Sequence, residues 1–195
     1  KHLADFGHRR IGFISGPEHS SAARERTFGY RSAIVDLGLD SEATLLVKGN
    51  YELIGGLRGA RDLLSLKSRP TAIIAANDLM AFATMDVAQQ MGLLIPRDLS
   101  VIGVDDIFVS AFPMISLTTI KQPAVEIGRR VGRRFLERFI RDNHSPVVIS
   151  LPAELVVRHS TGQAPDRVVE GRVLTTHQLE SYLAERWKPT TFVMH

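Results

Sequence analysis

The chain has no cysteine and a single tryptophan among its 195 residues, and no apolar run approaches the roughly 18 residues a membrane-spanning helix needs. Without thiols there can be no disulfides and no thiolate metal sites, which agrees with a reducing cytoplasm but also fits exported bacterial proteins. The seven histidines form no HxxxH or HxH pair, so a histidine-rich metal site is not expected either. Neither GxxxxGK(S/T) nor GxGxxG follows any strand-like run, and GFISGP around Ser15 is not a GxSxG nucleophile elbow. No basic-apolar-small leader opens the sequence, and there are no internal repeats. Nothing in these patterns demands an enzyme, and no metal or cofactor is expected.

What is present has the composition of a folded domain, 44% hydrophobic and 23% charged. The formal net charge is only +3. Much of the arginine lies in one helical segment, as Arg129, Arg130, Arg133, Arg134, Arg138 and Arg141, with Val125, Val131, Phe135 and Phe139 supplying apolar contacts. A solvated face on an amphipathic helix accounts for this better than a phosphate-contacting patch.

The most informative stretch runs from Thr71 to Asp106. Ala72 to Ala75 and Ser100 to Val104 are apolar runs too short for helices, and Leu79 to Met91 between them has helical spacing. Strand, helix, strand implies a parallel pair with a right-handed crossover. Asn77 or Asp78 can cap the helix, Gly92 can end it, and Pro96 prevents its resumption. Asn77 and Asp78 follow one strand, and Asp105 and Asp106 the other, where ligands bind in open parallel sheets.

The remaining elements extend the pattern. Residues 1–10 read as the last turns of a helix that begins before Lys1, which suggests a piece of a longer protein. Ile11 to Ser15 is a strand, and Ala22 to Leu37 a helix with Phe28, Ala33, Ile34 and Leu37 available for burial. Thr44 to Lys48 is a strand whose following Gly49-Asn50 turn presents Tyr51. Ile54 to Leu66 is a helix with Gly55, Gly56 and Gly59 permitting close approach to the sheet. Leu117 to Ile120, Val147 to Leu151 and Glu154 to Arg158 are the last strands, and 174–187 is the last helical stretch. Alternating strands and helices argue for a three-layer α/β/α domain with a mainly parallel sheet.

Several residues could serve a ligand. Asp105 and Asp106 could hold a cation, bind hydroxyls or form a structural turn; Arg26 could reach into the crevice or remain solvated; Tyr51 could stack on a flat or sugar-like ligand or pack in the core. His8 and His19 flank the first strand with no obvious nucleophile.

HRRIGFISGP, then RERTFGYRSAI, then AANDLMAFATMDVAQQMGLLIPRDLSVIGVDD, then LTTIKQP and ELVVRHST together resemble the effector-binding region of the lac and gal repressor (LacI/GalR) family of bacterial transcription regulators. The resemblance runs from Lys1 to about Gly162. It implies a type I periplasmic-binding-protein-like fold in which two α/β lobes close on a small polar ligand, a sugar being the leading candidate. On this view 1–121 is most of the second lobe, 122–150 the last segment of an otherwise missing first lobe, 151–162 the return to the second lobe, and 163–195 a tail outside the family pattern. The positions implied to face the effector are Arg26, Tyr51, Asn77, Asp105 and Gln122. Phe82, Met85, Phe108 and Phe112 are implied to lie in a homodimer interface. Operator DNA would be bound by a helix-turn-helix absent from these residues, in a cytoplasmic protein with no membrane partner. A sugar-transport receptor of the same fold is the alternative.

Overall fold

In a computed structural model, which describes residues 1–141, 147–166 and 181, six strands form one sheet in the order β2-β1-β3-β4-β5-β6. The strands are β1 (Ile11–Ser15), β2 (Leu46–Lys48), β3 (Ala72–Ala75), β4 (Ser100–Asp105), β5 (Thr118–Lys121) and β6 (Glu154–Val156). The first five run parallel, with Phe13 opposite both Leu46 and Ile74, and Ile102 opposite Thr118. Only β6 is antiparallel, pairing Ile120 with Leu155.

The helices are α1 (His2–Asp5), α2 (Ser21–Asp36), α3 (Leu53–Leu64), α4 (Asp78–Gln90) and α5 (Ala124–Arg141). Parallel strands must bury both faces, and the two cores show this. On one face Leu57 and Leu63 of α3 and Met80 and Val87 of α4 close over Ile14, Ile73 and Val101. On the other, Leu3 of α1 and Ile34 of α2 meet Ile11, Ala72 and Ile102. That second face is only partly covered, leaving an apolar groove of about 400 Å³ between α2 and β6, floored by Ile74, Ile102 and Ile120.

Local chemistry sets the element ends. Ser20 caps α2 and Asn77 caps α4, each side chain accepting from the backbone N–H three residues on. Gly38 and Gly92 follow α2 and α4 with φ of 58° and 75°. The small residues of α3 serve two surfaces rather than the sheet alone. A Cβ at Gly59 would lie 2.9 Å from the Ile14 side chain, whereas one at Gly56 would lie 2.6 Å from the Met80 Cα, so α3 also sits hard against α4.

Three expectations need correction. The strand expected over Val147 to Leu151 does not form; Val148 is 97% exposed, and these residues pair with no strand among the described residues. A strand needs a partner edge for its backbone groups. The first part of Thr44 to Lys48 is a 3-10 turn, Ala43–Leu45, and only Leu46–Lys48 joins the sheet. Phe28 is 71% exposed at the rim of a surface cavity instead of buried, and Val125, Val131, Phe135 and Phe139 of α5 are exposed as well. The apolar stripe of α5 is real, but it does not supply the contacts expected of it. The helix expected over 174–187 lies, apart from Ser181, outside the described residues.

Candidate ligand-binding site

The strand order reverses direction between β1 and β3, and polar side chains gather beyond the carboxyl ends of the strands, at the crevice position that the topology of open parallel sheets favours for ligands. Arg26 reaches it from α2. Its Nη1 donates to the Tyr51 hydroxyl at 3.2 Å and to the Ala76 carbonyl at 3.0 Å, and its Nη2 stands 3.9 Å from Asp105 Oδ1. The guanidinium carbon lies 5.7 Å from the centre of the Tyr51 ring, within cation–π range. Gln122 Nε2 donates to the same Asp105 oxygen at 2.5 Å. Arg26, Tyr51, Asp105 and Gln122, separated by up to 96 positions in sequence, thus form one connected group.

Asn77 joins them through the backbone. Its Oδ1 accepts from the Met80 N–H at 3.0 Å as the α4 cap, and its Nδ2 donates to the Tyr51 carbonyl at 2.8 Å. Tyr51 is held in the left-handed region at φ 67°, uncommon for an aromatic residue. Its ring rests over Gly16, where a Cβ would come 2.3 Å from Tyr51 Cζ. Any side chain at position 16 would displace the ring.

Asp105, the last residue of β4, and Asp106 after it take successive positive-φ conformations, 123° and 55°. Such conformations persist only where surrounding structure fixes them, and they concentrate at ligand sites. The two carboxylates part company. Asp106 is bound by Arg158 at 2.6 Å, while Arg158 also donates to the Leu117 carbonyl, so this aspartate secures the chain beyond β6. Asp105 faces the crevice. Burial pushes its carboxyl above the usual aspartate range, the Gln122 hydrogen bond and the Arg26 charge pull it back, and the Asp78 charge pushes it up further.

The arrangement offers a ligand directed donors from Arg26 and Gln122, acceptors from Asp105 and Gln122, and one aromatic face, the set that holds hydroxyls and flat polar rings. Among the described residues no nucleophile is assembled. The Ser15 hydroxyl donates to the Gly16 carbonyl, and the ring of His8 is engaged at the other end of the sheet. Among the described residues no group of three or more His, Asp or Glu converges on a metal position, and no helix is long and apolar enough to cross a membrane.

The four residues implied at the dimer interface divide between two elements. Phe82 and Met85 lie on α4, partly buried, beside Leu94 and Met114 along a surface groove. Phe108 is 81% exposed and meets Phe112 edge to face at 5.0 Å. Two roles escaped sequence reasoning. Gly16 was not among the candidates, since only folding brings the Tyr51 ring over it. Asp78, read as a possible cap, proves to be a buried carboxylate with three donors.

A mainly parallel sheet with its polar cluster at the switch point fits the periplasmic-binding-protein-like class, and residues 1–161 match the family described as periplasmic binding protein-like domain. The chain belongs to that family, as an effector-binding region of the LacI type. It is 36% identical over 160 residues to the HTH-type transcriptional repressor PurR of Photobacterium profundum, and 35% identical over 160 residues to the ribose operon repressor of Haemophilus influenzae. Each match covers 82% of this chain and 48% of the relative, so the chain spans about half the length of the curated relatives it matches. Among solved structures, the transcriptional regulator CelR–cellobiose complex aligns with a TM-score of 0.78 at 34% identity, over 82% of this chain and 49% of that one. The lac repressor dimer bound to operator and the anti-inducer ONPF aligns with a TM-score of 0.75 at 31% identity, over 83% and 55%.

Proposed function

We propose that this chain is the effector-sensing and dimerisation region of a LacI-family DNA-binding transcriptional regulator, and that it takes a small polar metabolite, with a sugar as the first candidate, in the crevice lined by Arg26, Tyr51, Asn77, Asp105 and Gln122. The observation that carries this is the convergence of Arg26 and Gln122 on one Asp105 oxygen beside the Tyr51 ring. These groups bond one another in part; a polyhydroxylated ligand would exchange those bonds for its own while its apolar face lay on the ring. A cellobiose complex of a regulator of this fold supports a sugar, and the lac repressor dimer supports self-association.

Residues 1–121 and 151–162 belong on this reading to one lobe, and 122–150 to the other. The exposed apolar stripe of α5 fits a helix that packs against the rest of that other lobe. Phe82, Met85, Phe108 and Phe112 face a second copy. Effector binding shifts the population between lobe arrangements, and the dimer passes that preference to DNA-binding heads on a cytoplasmic protein that is not an enzyme. A sugar-transport receptor has the same fold, but the relatives are repressors.

Thermal melting of the protein encoded by the full gene, against a panel of sugars and purines, tests the reading, because ligand binding to the native state raises the melting temperature by mass action. The expected result is a shift confined to one compound class and abolished by Arg26→Ala. A shift that survives Arg26→Ala would remove the crevice from the account.

A further inference from the structure

Ala76, Asn77 and Asp78 are consecutive, and each fixes a different part of the crevice. The Ala76 carbonyl holds Arg26, the Asn77 amide holds Tyr51, and the Asp78 carboxylate holds the turn that follows Asp105. Asp78 is 1% exposed. Its Oδ2 accepts from the Ile107 N–H at 3.0 Å and from the Ser110 hydroxyl at 2.6 Å, and its Oδ1 accepts from the Thr119 hydroxyl at 2.5 Å. Space for the carboxylate exists only because residue 103 is glycine; a Cβ there would lie 2.2 Å from Asp78 Oδ1. A buried charge is tolerated when its lone pairs are filled, and three donors from two other segments fill them here.

We propose that Asp78 is a positioning residue that couples the crevice to the outer surface. The coupling rests on the effector reading given above for Arg26 and Asp105. Asp78 is the first residue of α4, the helix that carries Phe82 and Met85, so its carboxylate ties that helix to residues 107–110. Those residues follow Asp105 and Asp106 and carry the exposed Phe108, which meets Phe112 on the surface. The two successive positive-φ residues, 105 and 106, make the turn a strained segment whose geometry is set by what clamps its far side. The Ile107 N–H and the Ser110 hydroxyl supply that clamp through Asp78. A displacement of Asp105 therefore moves residues 107–110, and Asp78 transmits the movement to α4. Two surface elements respond together because one carboxylate holds both.

Hydrogen exchange on the protein encoded by the full gene tests this without a ligand, by comparing Arg26→Ala, Ser110→Ala and their double variant with the unaltered protein. Removing Arg26 takes away a charge facing Asp105. Alone, it is expected to speed exchange of the Ile107 to Ala111 amides by about fivefold, a size typical of coupled neighbours. In the Ser110→Ala background, where exchange is already raised, it is expected to add less than about twofold. Asp78→Asn should behave as Ser110→Ala does; should it fail to fold, Ser110→Ala carries the test. A merely structural Asp78 would give independent effects. Equal multiplicative increases in both backgrounds, or no response to Arg26→Ala, would overturn the coupling. Absence of any panel compound's effect on melting, with the coupling intact, would count against the effector reading alone.

Discussion

At the amino ends of β3, β4 and β5, the buried His8 ring bonds the Thr71 hydroxyl at 2.9 Å, the Ser100 hydroxyl at 3.0 Å and the Gly162 carbonyl at 3.1 Å. Ser160 joins the Val101 carbonyl to the Thr118 N–H, and the Thr118 and Thr161 hydroxyls meet at 3.1 Å. At the carboxyl ends, Arg26 and Asp105 keep 24% and 34% of their side-chain surface exposed and are joined only at 3.9 Å. The first network is closed, buried and built on ordinary backbone. The second is half open and rests on three residues with positive φ. Closure stabilises a fold; incompletely bonded, strained groups leave capacity for something that arrives later. The difference predicts that substitutions at the two ends will separate stability from binding.

The largest effect belongs to the closed end. His8→Ala leaves a cavity and three partners without their bond, and it should lower unfolding free energy by about 3 kcal/mol. Urea unfolding measures this, and the effect on affinity for a panel compound should be small. Next comes Asp105→Asn, which removes the charged acceptor but keeps an oxygen for Gln122. Ligand affinity should fall tenfold or more, corresponding to roughly 1.5–3 kcal/mol for a charged hydrogen bond. Its folding stability should not fall. Burial raises the Asp105 pKa above its unfolded value, so the stability this group contributes is complete below pH 3.8 and is lost as pH rises through the folded pKa, and neutralising it relieves that loss at pH 7. A drop in stability as large as that of His8→Ala would erase the contrast.

Asn77→Ser sharpens the comparison further. Serine still caps α4 but has no amide to hold the Tyr51 carbonyl, so the unfolding midpoint should move little while binding weakens severalfold. The smallest expected effect is a pH dependence. Burial lowers the His8 pKa below its unfolded value of 6.5, against the pull of the Gly162 carbonyl, and His2 is shifted the same way. The stability from His8 is therefore present above pH 6.5 and lost as pH falls through the folded pKa. Denaturation series between pH 5 and 8 should show this slope, and His8→Gln should flatten it.

Apolar runs and helical spacing made all six strands and the central helices legible, the five parallel strands because burial on both faces leaves near-continuous apolar runs. Periodicity failed where tertiary partners decide. Val147 to Ile149 are apolar and β-branched, yet no neighbouring edge receives them, and Phe28 has helical spacing but lies on the outer side of α2. In the site, residue types at strand ends pointed to Asp105 and Tyr51 as candidates. Residue types alone did not separate Asp105 from Asp106, although the family resemblance pointed to Asp105, since only folding brings Arg158 to the second. Nor did it show that Asp78 is bound from both sides, because its donors lie 29 to 41 residues away.

The most direct test is calorimetric titration of the panel compound that most raises the melting temperature into the unaltered protein, Arg26→Ala and His8→Gln, with urea unfolding of each. The account predicts that Arg26→Ala weakens binding at least about tenfold with its unfolding midpoint nearly unchanged, whereas His8→Gln lowers the midpoint and leaves affinity intact. Unaltered affinity in Arg26→Ala, or equal losses of stability in both variants, would contradict it.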